Sequence, residues 1–375
     1  MRKQIDIGTC DINQSDIDEV SKSLESRFLS HGDQLCKFEE EIAHRHGYKY
    51  GLMVNSGQSA LEIALVLAKV KLKKSKLRVV VPSTTYAATL WAVLNTNNEA
   101  VFCDVNQEFN IDYWDLADLK DIDVVLAVDL CGKACIIPSE IREKYYIIED
   151  ACEACGNTLC NYGDIFCTSF YVSHIITTGS GGMLCLSDKN LYDYAKSYIA
   201  HGRVWGGNFL ENREEWVDRF RFDKVGVSYR SNNFSAALGL SQLKRIDSII
   251  EKRKLNAREL IRLFNSSNIL MYNFIVPDEE YWEQSIFQFF PIVIRRESTI
   301  NREKLLRYLY EKRIDSRLLL NLLDQPIVQR LYRDYDVSCS SSLFYNKNGF
   351  IVGCHQNLDL KDMSYIASTI EDYLK

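Results

Sequence analysis

The sequence predicts an α/β fold in which a mostly parallel sheet lies between helices, with a smaller α/β domain at the C-terminal end. Three observations predict it. From residue 50 to about 190, short apolar runs rich in β-branched residues alternate with helical patterns, as strands buried on both faces alternate with the helices that cover them. A long amphipathic stretch follows at about 241–265. Beyond it a second, shorter alternation of strand and helix patterns begins. The expected division is a large domain over residues 1–245, including an N-terminal arm, and a small domain over 246–375.

The strand candidates of the first region are RVVVP (78–82), AVFCDV (100–105), VVLAVDL (124–130), YYIIED (145–150), IFCTSFY (165–171) and GMLCLSD (182–188). SALEIALVLAKV (59–70) and YAATLWAVLNT (86–96) read as helices between the early strands. In the 241–265 stretch, Leu243, Ile246, Ile249, Ile250, Leu255, Leu260, Ile261 and Phe264 fall near helical spacing. IFQFFPIVI (286–294) then reads as a strand and NREKLLRYLYEKR (301–313) as a helix. The sequence carries no internal repeat and no low-complexity segment.

Composition narrows the function classes. Hydrophobic content of 46% and charged content of 26% are those of a globular domain. A net charge of -6, with no basic stripe interleaved with aromatics, argues against a nucleic-acid partner. The basic run Lys71 to Arg78 reads as a solvated helix end before a strand. No stretch approaches the roughly 20 apolar residues that span a bilayer, and MRKQIDIGTCDIN lacks the apolar core of a signal peptide. A cytoplasmic protein without a membrane partner is expected. The twelve cysteines are scattered, several inside strand-like runs, so a disulfide framework is not expected. Cys152, Cys155, Cys160 and Cys167 raise a metal reading; a cofactor loop explains the same segment better, and no metal site is assigned.

Three motifs carry chemistry. NSGQSALEIAL (55–65) turns through Ser-Gly directly into a helix, presenting backbone amides and the positive end of the helix dipole. This suits a phosphate, although Ser and Gly also cap helices for structural reasons alone. IIEDACEACG (147–156) ends a strand in Asp150, at the edge of a parallel sheet where ligands bind; a helix N-cap is the plainer reading. SFYVSHIITTGSGG (169–182) carries Ser169 on a buried strand, then His174, then a glycine-rich turn. A lone histidine is often a structural hydrogen bonder, and what raises this one is its company.

In this order and at these separations, the three motifs resemble the nucleotide-sugar aminotransferases of the DegT/StrS type, along nearly the whole chain. The resemblance implies the pyridoxal-phosphate (PLP) transferase fold of aspartate aminotransferase, fold type I, with a seven-stranded sheet. VPSTTYAATLWAV (81–93) is similar to the segment whose aromatic, here Tyr86, stacks on the cofactor ring. By the same likeness Gly57, Gln58, Ser59 and Ser169 would meet the cofactor phosphate, and Asp150 would pair with the pyridinium nitrogen. GVSYRSNNFSAALGLSQL (226–243) resembles the stretch that a neighbouring subunit lends to the site, which implies a homodimer and places Ser228 at the cofactor and Arg230 at the substrate.

His174 occupies the position of the lysine that holds PLP covalently in that family; the sequence has no lysine between Lys144 and Lys189. Histidine there points to the subgroup of 3-dehydratases acting on nucleotide-linked 4-keto-6-deoxy sugars, with the type acting on GDP-4-keto-6-deoxymannose as the best match. Glu153 has the spacing of that subgroup's second cofactor-contacting acid. AHGR (200–203) resembles its histidine-bearing segment, making His201 a substrate candidate, and GFIVGCHQ (349–356) also looks like its counterpart. The sequence departs from the pattern at Ser228, where an asparagine is usual, at Val227, where an aromatic is usual, and at Ser180, where many relatives have glutamate. A related branch with an iron–sulfur cluster needs cysteines soon after the His-Gly segment. None occurs here between Cys185 and Cys339.

The resemblance implies non-covalent PLP that takes an amino group from glutamate to become pyridoxamine phosphate (PMP). His174 would then remove a proton and return one to the departing C3 oxygen, its ordinary pKa of about 6.5 suiting both tasks. Two other readings stay open: an aminotransferase working without the lysine, and a binding protein that keeps the fold and has lost the chemistry.

Overall fold

The computed structural model describes residues 3–204, 220–319, 322–332 and 339–375. Seven strands form the larger sheet: β1 (Tyr50–Val54), β2 (Arg78–Pro82), β3 (Glu99–Cys103), β4 (Val124–Val128), β5 (Tyr146–Asp150), β6 (Ile165–Ser169) and β7 (Gly182–Leu186). Their order is β1-β7-β6-β5-β4-β2-β3. The pairs among β2 to β6 are parallel, whereas β7 runs antiparallel to both β6 and β1. β4, β6 and β7 are buried at every residue, which explains their uninterrupted apolar character.

A smaller antiparallel sheet, ordered β10-β11-β9-β8, comprises β8 (Phe274–Ile275), β9 (Phe290–Ile294), β10 (Ser316–Leu318) and β11 (Gly349–Val352). The 21-residue helix Ile246–Ser266 stands before it in the chain and buries Ile249, Leu260, Ile261 and Phe264.

Two sequence expectations change. β1 was not among the strand candidates, because Gly51 interrupts its pattern. The glycine is required: a Cβ there would lie 2.3 Å from the Glu39 carbonyl oxygen. The helix expected at 241–265 is two helices, Asn233–Leu243 and Ile246–Ser266. The break falls at Arg245, whose guanidinium is held by Asp11 at 2.6 Å and Asp16 at 2.7 Å.

Registers align the strand ends. Val128 of β4 pairs with Asp150 of β5, Asp150 with Cys167 of β6, Ser169 with Gly182 of β7, and Gly182 with Val54 of β1. The C-terminal ends of β1, β4, β5 and β6 and the start of β7 therefore share one edge of the sheet. Segments leaving this edge at Gly57, Leu130, Cys152 and Ser173 line one cavity.

Candidate active site

A cavity of about 840 Å³ opens at that edge. Gly57 and Gln58 enter it from the helix start after β1, and Tyr86 and Thr89 from the segment after β2. Asp150, Cys152 and Glu153 come from the end of β5; Ser169 and His174 follow β6. Arg317 of β10 and Ile351 of β11 contribute from the small sheet, and the N-terminal segment 6–10 closes a side.

The helix Gly57–Leu72 is capped by Ser56, whose hydroxyl oxygen accepts from the Ser59 amide at 3.1 Å. The earlier amides of a helix have no partner within it, so those of Gly57 and Gln58 remain to meet an anion. Gly57 cannot carry a side chain here: a Cβ would lie 2.7 Å from Cys152 Sγ and 2.8 Å from Ser169 Cβ.

Asp150 is 4% exposed. Its Oδ2 accepts from the Thr89 hydroxyl at 2.9 Å and its Oδ1 from the Cys152 amide at 3.3 Å. Burial raises its pKa above the usual carboxylate value, opposed by its donors Cys152 and Thr89. Glu153 accepts from the Cys131 amide at 2.7 Å, and burial pushes its pKa up to about 7. His174 is half-buried in the turn after β6, with Nδ1 3.2 Å from the Ser169 carbonyl oxygen. Burial pulls its pKa down to about 4, against the raising effect of that carbonyl. The turn is clamped from the small-sheet side, where Gln288 donates to the Ser173 carbonyl at 2.6 Å.

The cavity thus brings together His174, Gly57, Gln58, Tyr86, Asp150, Glu153 and Ser169. Four other candidates lie elsewhere. The Ser59 hydroxyl donates to Asn55 Oδ1 at 2.6 Å and does not line the cavity. His201, in left-handed backbone at φ 67°, and Ser228 are exposed in a paired crossing, with the His201 amide donating to Val227 O at 2.9 Å. Arg230 is exposed and bridges Val54 at the end of β1.

Sequence reasoning missed Thr89, Arg317 and the N-terminal wall. Thr89 had a readable signal, standing one helical turn beyond Tyr86. Arg317 and segment 6–10 had none, since tertiary packing alone brings them in. Among the described residues the four cysteines read as possible ligands do not gather. Cys160 instead shares a buried cluster with Asp129 and Glu149, their ligand atoms within 4.8 Å of one another.

A group with a phosphate, a ring and a ring nitrogen that wants an acid fits this arrangement. The free helix amides and the Ser169 hydroxyl suit the phosphate, the broad Tyr86 ring suits the aromatic face, and Asp150 offers a buried acid with fixed donors.

Comparison with known proteins agrees with the fold. The model of the DegT/DnrJ/EryC1/StrS aminotransferase family matches residues 10–371. The chain is 28% identical to a GDP-4-keto-6-deoxy-D-mannose 3-dehydratase of Yersinia pseudotuberculosis, over 93% of each chain. It is 26% identical to a UDP-4-amino-4,6-dideoxy-N-acetyl-beta-L-altrosamine transaminase of Campylobacter jejuni, over 97% of this chain and 96% of that one. Among solved structures, an E. coli GDP-4-keto-6-deoxy-D-mannose-3-dehydratase with bound hydrated PLP superposes with a TM-score of 0.88 at 23% identity, covering 99% of this chain and 100% of the other.

Proposed function

This chain belongs to the DegT/DnrJ/EryC1/StrS aminotransferase family, and from that premise we propose that it is a PLP/PMP-dependent 3-dehydratase of a nucleotide-linked 4-keto-6-deoxy sugar, with glutamate as amino donor. One observation carries the reading: His174, not a lysine, lines the cavity beside Asp150 and the Gly57 helix start. The relatives include both 3-dehydratases and transaminases, and the histidine favours the former. The setting that fits is cytoplasmic synthesis of a surface polysaccharide.

Gly57, Gln58 and Ser169 would hold the cofactor phosphate, Asp150 its ring nitrogen, Tyr86 the ring face, and Glu153 the phenolic edge. When bound, the cofactor supplies an aldehyde that accepts the donor's amino group and a ring that withdraws electrons. The chain's own contribution is proton handling. Nδ1 of His174 donates to the Ser169 carbonyl, so Nε2 is left as the base. With its pKa near 4, the ring is neutral at physiological pH and can take a proton. Once charged it is a strong acid, suited to protonating the departing C3 oxygen. Across both halves, glutamate is oxidised to 2-oxoglutarate with release of ammonia, and the sugar's C3–OH becomes C3–H. Each half is balanced without net water: the amino group enters in the glutamate half and leaves as ammonia in the sugar half.

Ser228, His201 and Arg230 sit outside this cavity on an exposed crossing. Their role is proposed for the cavity of a second copy, in a homodimer with shared sites.

The test is to supply PLP, glutamate and a GDP-linked 4-keto-6-deoxy sugar and to measure products. Equal amounts of ammonia, 2-oxoglutarate and 3-deoxy sugar are expected. Nitrogen retained on the sugar would instead make the protein an aminotransferase. No response to glutamate in saturating PLP would leave a binding protein.

A further inference from the structure

Arg253 lies on the helix Ile246–Ser266, outside the cavity, and is fully buried. Among the described residues its hydrogen bonds all end on amide oxygens. Nη1 donates to Phe287 O at 3.2 Å and to Gln288 O at 3.0 Å, and Nε donates to Gln356 Oε1 at 3.0 Å. We propose that Arg253 is a positioning residue for the cavity, fixing through Gln288 both the turn that carries His174 and the loop that holds Glu153. This rests on the roles proposed above for those two residues.

Two branches leave Gln288, which is itself fully buried. Its side-chain Nε2 donates to Ser173 O at 2.6 Å, one residue before His174. Its backbone amide donates to Cys131 O at 2.9 Å, and the Cys131 amide donates to Glu153 Oε2 at 2.7 Å. The second branch is tightly packed: at Gly132, with φ 88°, a Cβ would lie 2.9 Å from the Gln288 amide nitrogen. Cys131 beside it holds left-handed backbone at φ 58°, which a non-glycine residue keeps only where its surroundings fix it. A guanidinium withdrawn from water onto neutral amides is costly. The carbonyls of Phe287 and Gln288 offset that cost only while their backbone stays in place, so the charge locks this strap against the helix. It also reaches His174 through space. Burial lowers the His174 pKa, the Ser169 carbonyl raises it, and the Arg253 charge lowers it further, which favours the neutral ring that the proposed base requires.

The test uses the full-length protein, isotope-labelled in its histidine nitrogens, and compares wild type with Gln288→Met, Arg253→Met and Arg253→Lys. Three readouts are taken: the ring-nitrogen signals of His174 by NMR, the PLP affinity, and kcat and KM of the glutamate half-reaction. Gln288→Met removes the donor to Ser173 and leaves the Arg253 bonds to the backbone in place. It is expected to turn the Nδ1-protonated signature of His174 into a mixture of tautomers. The kcat should fall roughly 10- to 100-fold, with glutamate KM and PLP affinity within a few-fold of wild type. Arg253→Met is expected to do the same and, because the Glu153 branch loosens too, to weaken PLP binding roughly tenfold. Arg253→Lys keeps the charge and is expected to recover part of both losses. An unchanged His174 signature and kcat in Gln288→Met overturns the proposal, whether or not Arg253→Met folds. So does a lower melting temperature in all three variants with kcat unaffected, which would make the strap structural alone. A wild type that binds PLP and ignores glutamate would defeat the functional reading instead, and the His174 signals would still decide the positioning.

Discussion

Nδ1 of His174 lies 3.2 Å from the carbonyl oxygen of Ser169, five residues earlier in the chain. A carbonyl only accepts, so the hydrogen sits on Nδ1 and the lone pair on Nε2. The backbone of β6's last residue thereby selects the tautomer of the proposed base. His174→Asn is expected to lower turnover by roughly 10²–10⁴-fold with PLP affinity within a few-fold of wild type. Ammonia release and a cofactor titration check it; equal loss of both would make the histidine structural.

The same residue sets a pH expectation. Burial pulls its pKa from 6.5 to about 4, so the neutral form persists well below pH 6.5. The acidic limb of the glutamate half-reaction is expected near pH 4 to 5. A midpoint at 6.5 or above would show that His174 is not the group being titrated.

Glu39 gives a stability expectation of defined sign. Burial raises its pKa from 4.5 to about 8 while its Oε1 accepts from the Met53 amide at 2.7 Å. The folded state therefore holds a proton that the unfolded chain has already released between pH 4.5 and 8, and this group's contribution falls as pH rises through that window. Glu39→Gln keeps an acceptor and never ionises. Denaturant titrations at pH 5 and 8 are expected to show the variant gaining on wild type at the higher pH.

Thr89 is expected to matter through Asp150. Thr89→Val removes the hydroxyl that donates to Asp150 Oδ2 at 2.9 Å. A hydrogen bond to a charged group contributes about 1.5–3 kcal/mol, so PLP binding should weaken roughly tenfold or more. Fluorescence titration with PLP measures it, and Thr89→Ser should restore most of the loss.

Gly57→Ala probes the closeness of the helix start to β6. The added Cβ would meet Cys152 Sγ at 2.7 Å and Ser169 Cβ at 2.8 Å. Overpacking of this kind costs about 1–3 kcal/mol. A lower melting temperature together with weaker PLP binding is the expected pair of outcomes.

The cysteine-rich segment and the long amphipathic stretch show how far local reading carries. The period of apolar residues located the helix after residue 245, because burial of one face is a local pattern. Its false start at 241 arose because the break at Arg245 is decided by Asp11 and Asp16, more than 200 residues away in sequence. Likewise β1 hid behind Gly51, whose lack of a side chain answers to Glu39 on another element.

The sequence by itself determined the strand runs from β2 to β7, the capped helix start at Ser56, the acid that ends β5 and the histidine after β6. Each is a short-range fact of hydrophobic run, capping chemistry or residue identity. Tertiary structure alone decided the order β1-β7-β6-β5-β4-β2-β3, which gathers those strand ends along one edge. It also brought Thr89 to Asp150, Gln288 to the His174 turn, and Arg317 into the cavity. The reason is physical: a strand's pattern records that it is buried, whereas its neighbours are chosen by the packing of surfaces distant in the chain.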